Sequence, residues 1–338
     1  MLKYIVKRVL MVIPVMIGVS VIVFCLMRVF SSDPAPIVLG QHATEQSIET
    51  WREANGLNEP ILQQYLTYLK GVLHGDLGTS YYTMTPVTEE IGARFPATIE
   101  LAIAAILFAS FVGILLGVIA AVKKNTVFDA AGSLIALIGV SIPIFWLGIL
   151  LIMFLSGPLG LPTGGRIDVL LKPAEVTGFY LIDAVIARDW TAFADAAQHL
   201  VLPALALGMY SMAIITRMTR SSMLESLNQD YIRTARAKGI SGRKVIGKHA
   251  LRNSLIPVTT VIGLQFGALL GGALLTETVF SWPGIGKFTV DAVLKSDFPI
   301  VQGVVLLVAV VFVTVNLAAD LVYAYLDPRI KYSSKKER

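Results

Sequence analysis

The chain has 338 residues, of which 55% are hydrophobic and only 15% charged, with a mean hydropathy of +0.71. That is too apolar for an ordinary soluble domain and assigns the chain to a bilayer. The formal charge of +5 would suit nucleic acid, but the Lys and Arg residues collect beside apolar runs instead of forming an aromatic-studded basic face, so no nucleic acid partner is expected and the sign reflects membrane topology.

Six segments are uncharged and long enough to cross roughly 30 Å of hydrocarbon at about 1.5 Å per residue. They run from Val9 to Met27, Leu101 to Val122, Ala130 to about Leu155, His199 to Thr216, Asn253 to Thr276 and Phe298 to Ala319. Cys25, the single cysteine, lies inside the first run and is expected to pack there, with no internal disulfide. Lys3, Lys7 and Arg8 precede that run, which is longer than a signal-peptide core. No small-residue cleavage site follows at Phe30-Ser31-Ser32-Asp33-Pro34, so the segment is expected to be retained.

With the first residues placed in the cytoplasm, Lys and Arg should concentrate on alternate loops. The inside segments hold Lys123 and Lys124, then nine basic and two acidic residues from Arg217 to Arg252, then Arg329, Lys331, Lys335, Lys336 and Arg338. The outside loop 31–96 carries three basic and eight acidic residues, and the loop 156–198 three and five. Both termini are therefore expected in the cytoplasm.

The loop 31–96 is long enough to form an extracytoplasmic cap. Asn58 is a candidate N-cap with Pro60 just inside, and Ile61, Leu62, Tyr65, Leu66, Leu69, Val72 and Leu73 recur at helical spacing. Gly75-Asp76-Leu77-Gly78 and Arg94-Phe95-Pro96-Ala97-Thr98 follow, leading into the second span. The loop 156–198 contains Arg166, Asp168, Asp183, Asp189 and Asp195 and runs into His199-Leu200-Val201-Leu202-Pro203.

Within the second span Ala105, Ala109, Gly113, Gly117 and Ala121 are spaced by four, and Gly263, Gly267 and Gly271 repeat the pattern in the fifth. Such ridges let helix backbones approach closely in lipid, so both are expected packing seams, within the chain or toward a partner. Polar residues inside spans cost free energy unless paired or wet, which makes Ser141, Thr259, Thr260, Gln265, Thr276, Glu277 and Asn316 candidates for lining a hydrated route. Ser and Thr can also bond their own helix backbone, and Glu277, at the outer end of the fifth span, suits a structural salt bridge or a peptide's ammonium group.

The most distinctive stretch is the basic segment between the fourth and fifth spans. It reads Asp230-Tyr231-Ile232-Arg233-Thr234-Ala235-Arg236-Ala237-Lys238-Gly239, and after nine more residues His249-Ala250-Leu251-Arg252-Asn253, then Ile256-Pro257. Good helix formers ending on a glycine predict a short helix closed in the left-handed conformation. Ala235 and Gly239, four apart, should share a face nearly bare of side chain, suited to close approach by another protein.

This spacing resembles the cytoplasmic signature loop of ABC importer permeases: Glu-Ala-Ala, three residues, Gly, nine residues, Ile-x-Leu-Pro. Ala235, Gly239 and Leu251 fit that register, whereas Arg233 stands for the acidic residue and Arg252 for the proline. The segment looks like the dipeptide and oligopeptide branch in particular, in which Gly-Asp-Leu-Gly and Arg-x-Pro-x-Thr also recur before the second span. The resemblance implies an all-α polytopic membrane protein with six transmembrane helices and the type I ABC importer permease fold. Residues 1–30 would hold the N-terminal end and first helix, 31–96 the cap, 97–327 the permease core with a coupling loop at 217–252, and 328–338 a cytoplasmic tail. It also implies that Asp230, Tyr231, Arg233, Thr234, Ala235, Arg236, Ala237, Lys238, Gly239, His249, Leu251 and Arg252 meet a cytosolic ATPase.

No cofactor or catalytic constellation appears in the chain. Gly284-Ile285-Gly286-Lys287-Phe288-Thr289 has Phe288 where a phosphate loop needs Ser or Thr to hold Mg²⁺, and Ser281 where it needs the first glycine. His42, His74, His199 and His249 form no metal-ligand spacing, and there is no Gly-x-Ser-x-Gly elbow. By resemblance, ATP and Mg²⁺ would be bound by two cytosolic ATPase subunits, beside a homologous second permease and an extracytoplasmic substrate-binding protein, all in or on membrane lipid. Dipeptides or short oligopeptides are the expected cargo, with nickel chelates, glutathione, haem or sugars as alternatives in related permeases. An ion-coupled transporter would carry mid-span charge and an intramembrane enzyme a catalytic spacing, and neither is present.

Overall fold

The computed structural model describes residues 2–30, 33–40 and 42–326, with the side chains of 2–9, 29–30, 272 and 319–326 left aside. Ser31, Ser32 and the tail expected at 328–338, with Arg329, Lys331, Lys335, Lys336 and Arg338, lie outside the described residues, as do the side chains of Lys3, Lys7 and Arg8. The described chain is helical, and its one β feature is an antiparallel bridge between Thr79 and Pro86. Fourteen α-helices longer than a single turn form among the described residues: α1 Leu2–Cys25, α2 Pro34–Leu39, α3 Glu45–Ala54, α4 Ile61–Leu73, α5 Val87–Val122, α6 Val127–Ser141, α7 Ile144–Leu151, α8 Tyr180–Ala187, α9 Trp190–Leu227, α10 Asp230–Ala237, α11 Arg252–Gly272, α12 Leu274–Val279, α13 Ile285–Leu294 and α14 Phe298–Leu326.

Among the described residues, five helical segments are long and apolar enough to cross a membrane: Leu10–Arg28, Val87–Val122, Trp190–Leu227, Gly242–Gly271 and Phe298–Ala318. The third expected span, from Ala130 to Leu155, is not one straight helix. Val127–Ser141 and Ile144–Leu159 meet at 107°. Pro143 is the cause: it has no N–H to donate, and it biases Ile142 toward extended backbone, which Ile142 adopts with ψ at 127°. Two other boundaries also move. The second span begins 14 residues before the expected Leu101, at Val87, with Pro96 inside the helix, and the fourth runs over 38 residues with Pro203 inside it.

The chain divides into two compact units: Met1–Thr98 with Pro283–Val313, and Ile99–Trp282 with the residues from Thr314 onward. In the first unit, Val23, Met27, Tyr81, Val87, Ile91, Ile285, Phe298, Val301 and Val304 form one apolar core. Asp33 caps α2 through the Ala35 N–H at 3.0 Å and is itself gripped by Arg52 of α3. The helix predicted from periodicity in this region is α4, but Asn58 does not cap it: its amide donates to Glu49 Oε1 at 2.8 Å, and Pro60 occupies the cap position without a side-chain bond. Ser20 meets Tyr65 OH at 3.0 Å, tying α1 to α4.

Both motifs that lead toward the second span have a structural task. Gly75 and Gly78 adopt φ of +81° and +87°, and Asp76 Oδ1 between them accepts the Gly78 N–H at 2.8 Å, an Asx turn that only glycines allow at so little cost. Thr98 Oγ1 accepts the N–H of Ile285 at 2.9 Å, fixing the start of α13. Asp297, beside the start of α14, accepts from Ser80 Oγ at 2.6 Å and from the Tyr81 N–H at 3.2 Å. Burial pushes its carboxyl above the usual range despite those bonds.

In the second unit, the loop between the broken third span and α9 is organised by buried charge. Arg166 Nε donates to Glu100 Oε2 at 2.9 Å, its Nη2 to the Gly178 carbonyl at 2.8 Å, and its guanidinium lies 3.8 Å from the centre of the Tyr180 ring. Asp183, fully buried, accepts from the Thr177 N–H and hydroxyl and from the Gly178 N–H at 2.7–3.0 Å. A charge this deep persists only because its oxygens are satisfied in this way.

Candidate functional site

The basic connector between α9 and α11 folds back on the helices it joins. Its first part is α10, Asp230–Ala237, closed as the sequence predicts: Gly239 has φ of +74° and donates its N–H to the Arg236 carbonyl at 3.0 Å. A Cβ on Gly239 would meet nothing within 4 Å, so backbone conformation alone demands the glycine.

The expected bare face is corrected by the packing. Ala235 does not stand open beside Gly239: it is 6% exposed and sits with Ile232, Val245, Ala250, Met223 and Ala121 in an apolar cluster. Ile232 and Ala235 are three apart and turn inward together, which leaves Tyr231, Arg233, Thr234, Arg236, Ala237, Lys238 and Gly239 exposed. The small residue that remains available for close approach on α10 is Ala237. Asp230 is also exposed and meets Arg233 at 3.4 Å, a weak surface pair.

The second part of the connector is a wide-turned helical segment, Val245–Leu251, running straight into α11. Leu251 packs against the same cluster, Arg252 is exposed, and His249 is half-buried with its carbonyl accepting from Asn253 Nδ2 at 3.2 Å. Polar bonds lock this part to α9. Ser254 Oγ lies 3.1 Å from the Ser222 carbonyl and 3.0 Å from Ser226 Oγ, all buried. Arg220 of α9 makes a two-pronged bond to Asp129 of α6, at 2.6 and 2.9 Å, and the Asn125 N–H adds a third donor at 3.0 Å. The connector is therefore fastened by apolar packing, and hydroxyl bonds join the two helices that flank it, α9 and α11.

The packing glycines divide. A Cβ on Gly113 would lie 2.9 Å from the Met212 carbonyl oxygen, and one on Gly117 would lie 2.6 Å from Thr219 Cβ and 2.7 Å from the Thr216 carbonyl oxygen, so α5 and α9 touch backbone to backbone. Gly208 returns the contact, its Cβ position being 2.7 Å from the Ala105 carbonyl oxygen. Gly267 faces Val315 of α14 at 3.3 Å. Gly263 and Gly271 lie on α11 with it, Gly271 exposed and Gly263 half-buried.

The polar residues expected to line a route differ in their partners. Ser141 is exposed and donates to the Leu137 carbonyl, and Thr259 donates to that of Ile256, both at 2.8 Å. Gln265 Oε1 accepts from Ser211 Oγ of α9 at 3.1 Å. Thr260 Oγ1, Thr276 Oγ1 and Asn316 Oδ1 are buried without a hydrogen-bond partner. Glu277 is completely buried, so it does not present an open carboxylate at the end of the span. Reading the sequence alone missed Asp129, Arg220, Ser222, Ser226 and Ser254. Arg220 sits where a positive residue near a span end reads as topology, and only a partner 91 positions away gives it a structural task.

The chain matches two family descriptions, "Binding-protein-dependent transport system inner membrane component" over residues 113–332 and its N-terminal component over residues 1–102. It is 48% identical over 333 residues to a dipeptide transport system permease protein of Alkalihalophilus pseudofirmus, covering 98% of this chain and 100% of the relative. A protein of the same description from Escherichia coli K12 is 49% identical, with 98% and 99% covered. A glutathione transport system permease protein of Escherichia coli O6:H1 is 41% identical, with 98% and 100% covered.

Proposed function

We propose that this chain, which belongs to the family of binding-protein-dependent transport system inner membrane components, is a permease subunit of an ABC importer that carries dipeptides or short oligopeptides. The chain is a non-catalytic membrane component. In this reading the loop 31–96 lies outside, the connector 217–252 and both termini lie in the cytoplasm, and the partners are a second permease, two ATPases and an extracytoplasmic binding protein. The charge asymmetry between loops supports that orientation. Energy comes from ATP and Mg²⁺ on the ATPases, which grip the exposed face of α10.

The observation that carries the proposal is the fastening of the connector. A handle buried along Ile232 and Ala235, between helices tied to each other through Ser222, Ser226 and Ser254, transmits displacement into α9 and α11, where a loose loop would absorb it. Closure of the ATPases would thus tilt these helices together and exchange an outward for an inward opening about a bistable interface. Dipeptide cargo is favoured over glutathione by the higher identity to the dipeptide permeases, 48–49% against 41%.

The test is the reconstituted importer with Gly239→Val. A β-branched residue at φ of +74° is strained, so α10 should close differently, and binding-protein-stimulated ATP hydrolysis should continue while dipeptide uptake falls at least tenfold. Full hydrolysis with normal uptake would defeat the coupling role. Competition of labelled dipeptide uptake by glutathione, without effect under this reading, checks the cargo.

A further inference from the structure

The first unit holds a cleft of about 250 Å³ bounded by the helical segment that follows α1, by α4, by the turn after it and by the start of α14. Its lining includes Arg28, Gln64, Tyr68 and Gln302, and each of these carries a buried polar atom without a hydrogen-bond partner: Arg28 Nε, Gln64 Oε1, Tyr68 OH and Gln302 Nε2. Leaving one such group unsatisfied costs free energy, and four residues of one cleft sharing the defect is unusual in a finished core. Gln302 is only 5% exposed, and Tyr68 is held with its ring stacked 5.9 Å from that of Phe24. Arg28 is pinned between Phe24 and Phe298, its guanidinium carbon 5.6 and 5.3 Å from the two ring centres. Packing thus holds these groups in the wall of the cleft.

The chemistry of the walls selects the guest. Arg28, Gln302 and Tyr68 offer donors for an anionic group, and the guanidinium is the side chain best shaped for a carboxylate. Gln64 Oε1, Glu59 and Asp76 offer acceptors on the same cleft, which disfavours a simple anion and suits an ammonium group. The volume lies just under the roughly 300–1,000 Å³ of small-molecule sites, which suits a guest of amino-acid or dipeptide size.

We infer that this cleft binds a small zwitterion, its anionic group on Arg28, Tyr68 and Gln302 and its ammonium group toward Gln64, Glu59 and Asp76. Two sources share that chemistry, a free dipeptide and the headgroup of phosphatidylethanolamine. The inference rests on the outward placement of loop 31–96 proposed above, and it describes a site on the permease separate from the binding protein.

The intact importer in nanodiscs, without its binding protein, is titrated calorimetrically with L-alanyl-L-alanine, with N-acetyl-L-alanyl-L-alanine amide and with inorganic phosphate, and its retained lipids are identified by native mass spectrometry. Saturable binding of the free dipeptide alone is expected. Tyr68→Phe, which removes one hydroxyl and keeps the stacked ring, should weaken it roughly tenfold, and Arg28→Gln more. Retention of phosphatidylethanolamine by the unmodified importer, lost in Tyr68→Phe, assigns the same site to the lipid source. Equal binding of phosphate or of the blocked peptide, or neither ligand nor retained lipid, overturns the inference. If dipeptide uptake with the binding protein is then normal, the proposed function stands and only the cleft assignment falls.

Discussion

Arg220 holds Asp129 with two guanidinium nitrogens, one on each carboxylate oxygen, across 91 residues of sequence. The pair fastens the first turn of α6 to the part of α9 from which the connector departs. Asp129 is 8% exposed and Arg220 about a third, so the bond works in a partly desolvated place where geometry counts. Arg220→Lys keeps the charge but loses the fork. It is expected to destabilise the solubilised complex by about 1–2 kcal/mol. Arg220→Ala should cost more than the lysine variant, and thermal unfolding of both beside Asp129→Asn, as a double-mutant cycle, measures the coupling. Equal stability of all variants would show that the pair contributes nothing.

Close helix contact makes a sharper demand at Gly117. An added Cβ would lie 2.6–2.9 Å from Thr219 and the Thr216 carbonyl, with backbone on one side that cannot turn away. Gly117→Ala is expected to lower stability by roughly 1–3 kcal/mol, the ordinary cost of overpacking. Gly247→Ala, where nothing lies within 4 Å, should be neutral or slightly stabilising in the same thermal assay.

The apolar spans and the Gly239 turn were legible because each is written in consecutive residues: length of apolar run, and a glycine after a helical run. The break after Ser141 was missed because Pro143 lies inside an apolar stretch whose total length suits one straight span. Four-residue spacing put Ala235 and Gly239 on one face, whereas Ala235 packs inward and Gly239 lies exposed beyond the helix end. Ile232, three residues before Ala235, was the available sign that Ala235 packs inward. Pairs such as Arg166 with Glu100, 66 residues apart, or Ser80 with Asp297, 217 apart, leave no local pattern at all.

Asp183 sets a pH dependence. Burial pushes its carboxyl upward, but bonds from Thr177, Val176 and Gly178 outweigh that and hold it below the usual carboxylate range. A folded-state value below the unfolded one, about 3.9, stabilises the fold above that pH and ceases to do so as pH falls through the folded value. The melting temperature of the solubilised complex should therefore drop as pH is lowered below about 4. Asp183→Asn should melt lower at pH 7 and show a shallower fall in acid. An unchanged acid slope would assign the effect to other carboxylates.

The two sides of α10 separate structure from coupling. Arg233 is 77% exposed and its pairing with Asp230 is a weak surface contact, so Arg233→Glu should leave stability within about 0.5 kcal/mol. Ala237→Trp adds bulk on the same exposed side without entering the cluster around Ile232. If that side receives an ATPase, both variants should assemble a stable permease yet lose ATPase in pull-downs and transport peptide several-fold more slowly. Ala235→Leu makes the opposite error. It drives a larger side chain among Ile232, Met223 and Val245, so the permease itself should lose roughly 1–3 kcal/mol of stability before any partner is added. Should Arg233→Glu and Ala237→Trp retain full ATPase binding and uptake, the exposed side of α10 is not where force enters, and the handle lies elsewhere on the connector.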